Sequence, residues 1–220
     1  SSVHLANTDG EEVLLLRDAD GWRNRLSSPK TRDKGEHWLH WSTDNTLLDE
    51  NWKASSYDPR SRPWFEVAMK PSSDDIPAWT RPYRFFTTGE GGITVATRWM
   101  GKDGKAYILA FDVLLADLSR FTVDTPVGER GGSVVLTSSN EVAGVPRYPR
   151  FANLADRREA ALKSPAELQV DFLTHGYARW LDSGQKSDEV LFFENENETW
   201  LAQFVPLKIG DQAWWVGGFA

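Results

Sequence analysis

The chain has no cysteine, which removes disulfides, thiolate nucleophiles and cysteine-ligated zinc together. No stretch approaches the roughly 18 consecutive apolar residues of a membrane span, and no signal peptide opens the sequence. Basic charge is also short: 25 Lys and Arg stand against 32 Asp and Glu, for a formal charge of −7. Split at Gly128, the first part holds 16 basic and 19 acidic residues and the second 9 and 13. Neither half has the basic excess that nucleic acid or an anionic lipid surface rewards, so both are disfavoured as partners.

The remainder is ample for folding. With 220 residues, 40% apolar and 12% aromatic, the chain suffices for one large domain or two of about 100 residues each. It begins abruptly at Ser1-Ser2 and stops inside the apolar run Trp214 to Ala220. Both ends read as cuts, with flanking membrane spans expected beyond them.

Two stiff corners stand out. Tyr57-Asp58-Pro59-Arg60-Ser61-Arg62-Pro63-Trp64-Phe65 and Trp79-Thr80-Arg81-Pro82-Tyr83 contain prolines that fix φ and hold the preceding residues extended. Guanidinium groups among indoles and phenols suit capture of a small carboxylate. Equally, Arg60 and Arg62 can pair with acids such as Asp58 or Glu66 while the rings join a core.

Around these corners the pattern is mostly strand. Val3 to Ala6 and Val13 to Leu16 flank the turn Asn7-Thr8-Asp9-Gly10 and predict a hairpin. Asp18 to Lys34 is polar and reads as turns and loop, and His37 to Trp41 as a strand. The His37/His40 spacing suits a helix better than a strand and no third ligand has a clear place, so structural histidines, not a metal site, are expected. Pro63 to Met69 predicts a short helix, ended by Pro71. Arg84 to Thr88, Ile93 to Trp99 and Lys105 to Val113 predict an antiparallel meander. The loop Gly89-Glu90-Gly91-Gly92 lacks the helix and Lys-Ser/Thr of a phosphate loop. Asp112 sits in the apolar run Ile108 to Val113, on the face of Ile108 and Ala110. It is either a solvent-facing or capping acid, or a buried acid holding a ligand cation.

Leu114 to Phe121 predicts a helix, and the Gly- and Pro-bearing stretch 122–132 a boundary between domains 1–128 and 129–220. Beyond it come strands at Ser133 to Thr137 and Val142 to Gly144. Helical segments follow at Phe151 to Lys163 and Pro165 to Leu181, the latter opened by a Ser164/Glu167 capping box. Strands at Val190 to Phe193, Thr199 to Leu207 and Gln212 to Val216 close the chain. A similar strand–helix–strand plan thus appears twice, an α+β architecture in which each domain is an antiparallel sheet flanked by helices.

The two corners, with Gly92-Ile93-Thr94-Val95-Ala96 and Phe111 to Ser119, closely resemble the double Cache sensor family. The resemblance runs from about Ala6 to the end and is weaker in the second half. It implies two PAS-like domains on the extracytoplasmic, periplasmic side of a bacterial transmembrane receptor: a chemoreceptor, sensor histidine kinase or nucleotide cyclase. The long N-terminal helix usual in that family is absent here, and a homodimer is expected of the full receptor. Matched by position to the amino-acid-binding branch, the ligand residues are Tyr57, Arg62, Trp64, Phe65, Tyr83 and Asp112. Phe65 stands where a Tyr hydroxyl is usual, and Phe85 where a second acid is often found. The resemblance therefore implies a carboxylate-bearing metabolite, an amino acid or an organic acid, with no cofactor.

Two other readings compete. Eleven Trp suggest a carbohydrate-binding module. An enzyme would need an acid–base pair such as Glu66 with Asp112, or Asp74 with Asp75. No constellation meets the geometric requirements of catalysis, so none is expected.

Overall fold

The computed structural model describes residues 2–31, 33, 35–70, 76–187 and 189–220. The chain divides into two compact units, residues 1–81 with 93–113, and residues 82–92 with 114–220.

The first unit is built on one antiparallel sheet. Its strands are β1 (Ser2–Asn7), β2 (Glu12–Arg17), β3 (Gly21–Ser27), β4 (Glu36–Ser42) and β5 (Leu47–Lys53). After a short helix, α1 (Pro63–Met69), come β6 (Ala78–Trp79), β7 (Tyr83–Arg84), β8 (Gly91–Met100) and β9 (Ala106–Leu114). The spatial order is β5-β4-β3-β2-β1-β9-β8-β6. β7 pairs with Gly91 and Gly92 at the start of β8, and those residues fall in the second unit.

Strict alternation sorts the central strands. His4, Ala6, Glu12, Leu14, Ile108, Ala110 and Asp112 are buried, while Leu5, Val13, Leu15 and Phe111 are exposed. Register makes the buried set contiguous: β1 pairs Ala6 with Glu12 and Ile108, and His4 with Leu14 and Ala110.

The expected hairpin, the last two strands of the meander and the helix at Pro63 form as read. Residues 71–75, which hold Pro71 and the Asp74/Asp75 pair, lie outside the described ones. The polar stretch read as loop instead contains β3. Its inward residue is Arg25, 1% exposed, so its buried face has no apolar pattern to announce it. Nor does the expected strand from Arg84 to Thr88 form beyond Tyr83–Arg84: the chain turns, and Gly89 N–H donates to Phe85 O at 2.8 Å.

In the second unit, α2 (Leu115–Asp124) is followed by β10 (Gly132–Leu136) and β11 (Val142–Gly144). Then come α3 (Leu154–Ala160), α4 (Asp171–Asp182), β12 (Leu191–Asn195), β13 (Glu198–Ile209) and β14 (Gln212–Phe219). The sheet order is β11-β10-β14-β13-β12, all antiparallel. α2 sides with this unit because Thr122 Oγ1 donates to Val145 O at 2.6 Å and Ser119 Oγ accepts from Val145 N–H at 3.2 Å. The chain therefore crosses between units at Leu114, ahead of the glycine-rich stretch near 128.

Both expected helices of this half are shorter than their apolar patterns, and each follows a 3₁₀ turn, Pro149–Phe151 or Pro165–Leu168. The capping box is present, with Ser164 N–H donating to Glu167 Oε2 at 2.7 Å. Behind α4 the core is aromatic. Trp180 stacks on Phe204 at 4.3 Å, and Phe204 meets Phe219 edge-on at 5.6 Å.

Helix α4 reaches that core through Gly176, where an added Cβ would lie 2.6 Å from Phe219 Cε1 and 3.0 Å from Phe193 Cε1. Alanine normally favours a helix over glycine by about 1 kcal/mol, but forcing a methyl into packed rings costs about 1–3 kcal/mol. Gly176→Ala is therefore expected to lower the urea midpoint of the second unit; a raised midpoint would show a looser helix–sheet contact.

Candidate functional site

The candidate site is the buried face of the first sheet and the corner leading into α1. Asp58 starts the corner by capping a 3₁₀ turn, its Oδ1 accepting from Arg60 N–H at 3.0 Å. The same carboxylate binds the Arg60 guanidinium, at 3.0 Å from Nε and 2.8 Å from Nη2. Arg60 is thus held by the acid of its own corner. Arg62 occupies the N-cap of α1 in an extended conformation with Pro63 behind it, and is partly exposed.

Four of the proposed ligand residues are buried in this unit: Tyr57 at 8%, Trp64 at 2%, Phe65 at 4% and Asp112 at 5% exposure. They gather around three charged residues that the sequence did not single out, His4, Glu12 and Arg25. Asp112 accepts from Ser2 Oγ at 2.5 Å and Thr94 Oγ1 at 2.6 Å, and its Oδ2 lies 2.9 Å from His4 Nε2. The other His4 nitrogen, Nδ1, is 3.0 Å from Glu12 Oε1. Glu12 also accepts from the Tyr57 hydroxyl at 2.8 Å and Arg25 Nη2 at 2.9 Å. Arg25 lies over the Tyr57 ring at 3.7 Å, and its Nη1 is 3.6 Å from Glu36. Trp64 packs on the His4 ring at 5.0 Å and meets Phe65 edge-on.

The chain is thus Asp112–His4–Glu12–Arg25, with alternating charges. Burial alone would push the His4 imidazole down, but hydrogen bonds to Asp112 and Glu12, and their charges, carry its pKa up to about 9. Burial raises the two carboxylates, yet His4 holds both below their usual range, helped at Glu12 by Arg25 and Tyr57 and at Asp112 by Ser2 and Thr94. Burial and the Glu12 charge raise the Tyr57 phenol, keeping it neutral. Paired and hydrogen-bonded in this way, the charges avoid the heavy cost of isolated burial.

Asp112 is therefore a buried acid holding a cation, and in this structure that cation is His4. The signal in the sequence was the parity of His4 with Ala6 and of Glu12 with Leu14, charged groups on a face otherwise apolar. Tyr83 falls in the second unit, its ring edge-on to Phe85 at 5.2 Å. Glu66 is exposed on α1, so the Glu66/Asp112 pairing imagined for an enzyme has one member in water and the other committed to His4. The rings of His37 and His40 meet separate acids, Glu50 at 2.7 Å and Asp20 at 3.3 Å. Asp18, Asp20 and His40 do converge near the surface, an arrangement common without any ion.

No family model matches the chain. Over 93 residues, 42% of its length, it is 25% identical to the methyl-accepting chemotaxis protein McpC of Bacillus subtilis, and that match spans 14% of the relative. Among solved structures, it resembles the ligand-binding domain of the Pseudomonas fluorescens chemoreceptor CtaA, in complex with L-serine. The TM-score is 0.55 at 17% identity, covering all of this chain and 71% of that one. The ligand-binding domain of the Campylobacter jejuni chemoreceptor Tlp3, in complex with 4-methylisoleucine, superposes with a TM-score of 0.59 at 14% identity, covering 100% and 64%. At these identities the likeness concerns the fold: the chain has the tandem PAS-like, Cache-type architecture of chemoreceptor ligand-binding domains.

Proposed function

We propose that the chain is the extracytoplasmic sensor region of a transmembrane receptor and that its first unit binds a small carboxylate-bearing metabolite, an amino acid or an organic acid. The observation that supports this most is the likeness of the fold over the whole chain to chemoreceptor domains with amino acids bound. The McpC match points to the same class of whole protein. Among the described residues no helix is long and apolar enough to cross a membrane, so the spans of the receptor would flank this region.

In this reading Arg62, partly exposed at the head of α1, takes the ligand carboxylate, and the indole of Trp64 and the phenol of Tyr57 form the wall behind it. Phe65 supports Trp64. Asp112 acts through His4, which it keeps protonated. Because the Tyr57 hydroxyl and Asp112 already hold internal hydrogen-bond partners and Trp64 is buried, entry requires the corner 57–65 to move off the sheet. Such movement is what a sensor needs, since a ligand shifts a receptor only by binding two shapes unequally, with a coupling of roughly 1–3 kcal/mol.

A thermal-shift screen against amino acids, organic acids and oligosaccharides tests the proposal. A hit at about 100 times its Kd stabilises the folded chain by roughly 2.7 kcal/mol. Arg62→Ala is expected to abolish the stabilisation while leaving the unliganded melting temperature within about 2 °C. Undiminished stabilisation in the variant removes Arg62 from the site, and oligosaccharides as the sole hits would favour the carbohydrate module instead.

A further inference from the structure

The second unit has a recess of about 620 Å³ that the reading above does not use. One side of it is aromatic. Trp200 on β13 stacks face to face with Phe172, in the first turn of α4, at 5.1 Å between centroids and 5° between planes. The Tyr148 ring leans on Phe172 at 6.3 Å.

The rest of the lining is charged in both signs. Arg130 is committed to Glu198, with Nη2 2.8 Å from Oε2 and Nη1 3.1 Å from Oε1. Arg147, Asp171, Glu129 and Glu196 also line the recess, and none has a side-chain partner among the described residues. One unpaired guanidinium and three unpaired carboxylates, among the described residues, therefore line the recess together with three rings.

Each simple ligand class leaves part of this lining unused. An anion would meet Arg147 but also three carboxylates of like charge. A plain cation suits the rings and the acids, since an aromatic face attracts positive charge, but leaves Arg147 idle. An apolar molecule would bury charges without partners.

We propose that this recess is a second small-molecule site, contained in the second unit alone, that takes a small zwitterion. Its ammonium lies against Trp200, Phe172 and Tyr148 near the acids, and its carboxylate pairs with Arg147. The site is separate from the one proposed around Arg62, and the test keeps the two apart.

The 220-residue chain carrying Arg62→Ala, which disables the first site, is titrated calorimetrically with the twenty common amino acids and glycine betaine, and with choline and acetate as controls. At least one zwitterion is expected to bind with one site per chain, and both controls about tenfold or more weakly. Adding Arg147→Glu, a surface change that leaves the core alone, should weaken the zwitterion at least about tenfold, a difference of 1.4 kcal/mol. Trp200→Ala should do the same, and Trp200→Phe should retain part of the affinity, separating lost stacking from lost folding. Absence of binding by every zwitterion in the panel overturns the proposal. So does an affinity unmoved by both Arg147→Glu and Trp200→Ala. Choline binding as tightly as glycine betaine would remove the carboxylate half and with it the zwitterion assignment.

Discussion

Glu12→Ala is expected to cost the first unit about 3–5 kcal/mol, the range for removing one member of a buried charged pair. The reason is local. Glu12 is 3% exposed and is the acceptor shared by His4, Arg25 and the Tyr57 hydroxyl. Without it Arg25 loses its 2.9 Å ion pair and is left with the longer contact to the Glu36 carboxylate, at 3.6 Å, in a place that water does not reach. Against a total stability of about 5–15 kcal/mol for a domain, this is a large fraction. Two units need not unfold together, so the loss should be read from amides of β1, β2 and β9 by hydrogen exchange under native conditions. A loss below about 1 kcal/mol would mean that water enters the cluster and that the charges are solvated. Glu12→Gln separates charge from shape: it keeps an acceptor for Tyr57 but withdraws the counter-charge, so its cost should fall between wild type and alanine.

The second large effect is on the alkaline side of neutrality. His4 titrates near pH 9 in the folded chain against about 6.5 when unfolded. A raised pKa means that the folded state holds its proton more tightly, so the stabilisation is complete below pH 6.5 and is lost as pH rises through 9. The difference corresponds to roughly 3 kcal/mol. Glu12 and Asp112 act in the opposite direction. Their pKa values are depressed, so their contribution is present above the ordinary carboxylate range and is lost on acidification. Stability of the first unit should therefore peak between about pH 5 and 6.5 and decline toward pH 9. His4→Gln should be less stable at pH 6 and lose the alkaline slope. A slope that persists in the variant would assign the titration to another group.

This cluster also shows where the sequence was legible and where it was not. Strands made of short apolar runs, such as Val13 to Leu16 and Ile108 to Val113, could be read directly, and so could the proline-led helix at Pro63 and the capping box at Ser164. β3 and β5 could not. β3 turns an arginine inward, and every residue of β5 is exposed, so neither strand carries a hydrophobic stripe. The corner 57–65 was visible because proline and the residue before it restrict the backbone whatever surrounds them. Its neighbours His4, Glu12 and Arg25 were not, because a charged residue in an alternating strand signals either face equally. What settles its direction is a partner many positions away: 108 residues between His4 and Asp112, and 13 between Glu12 and Arg25.

The central claim, that the first unit recognises a small carboxylate at the corner over this charged cluster, is tested most directly by chemical-shift mapping. The isotope-labelled 220-residue chain would be titrated to saturation with the strongest hit from the thermal-shift screen, in an Arg147→Glu background that silences the second recess. The account predicts the largest amide and indole shifts at Tyr57 to Phe65, with the Trp64 Nε1–H resonance among them and smaller changes at His4 and Asp112. Saturation that leaves residues 57–65 unmoved while shifts gather elsewhere would contradict it.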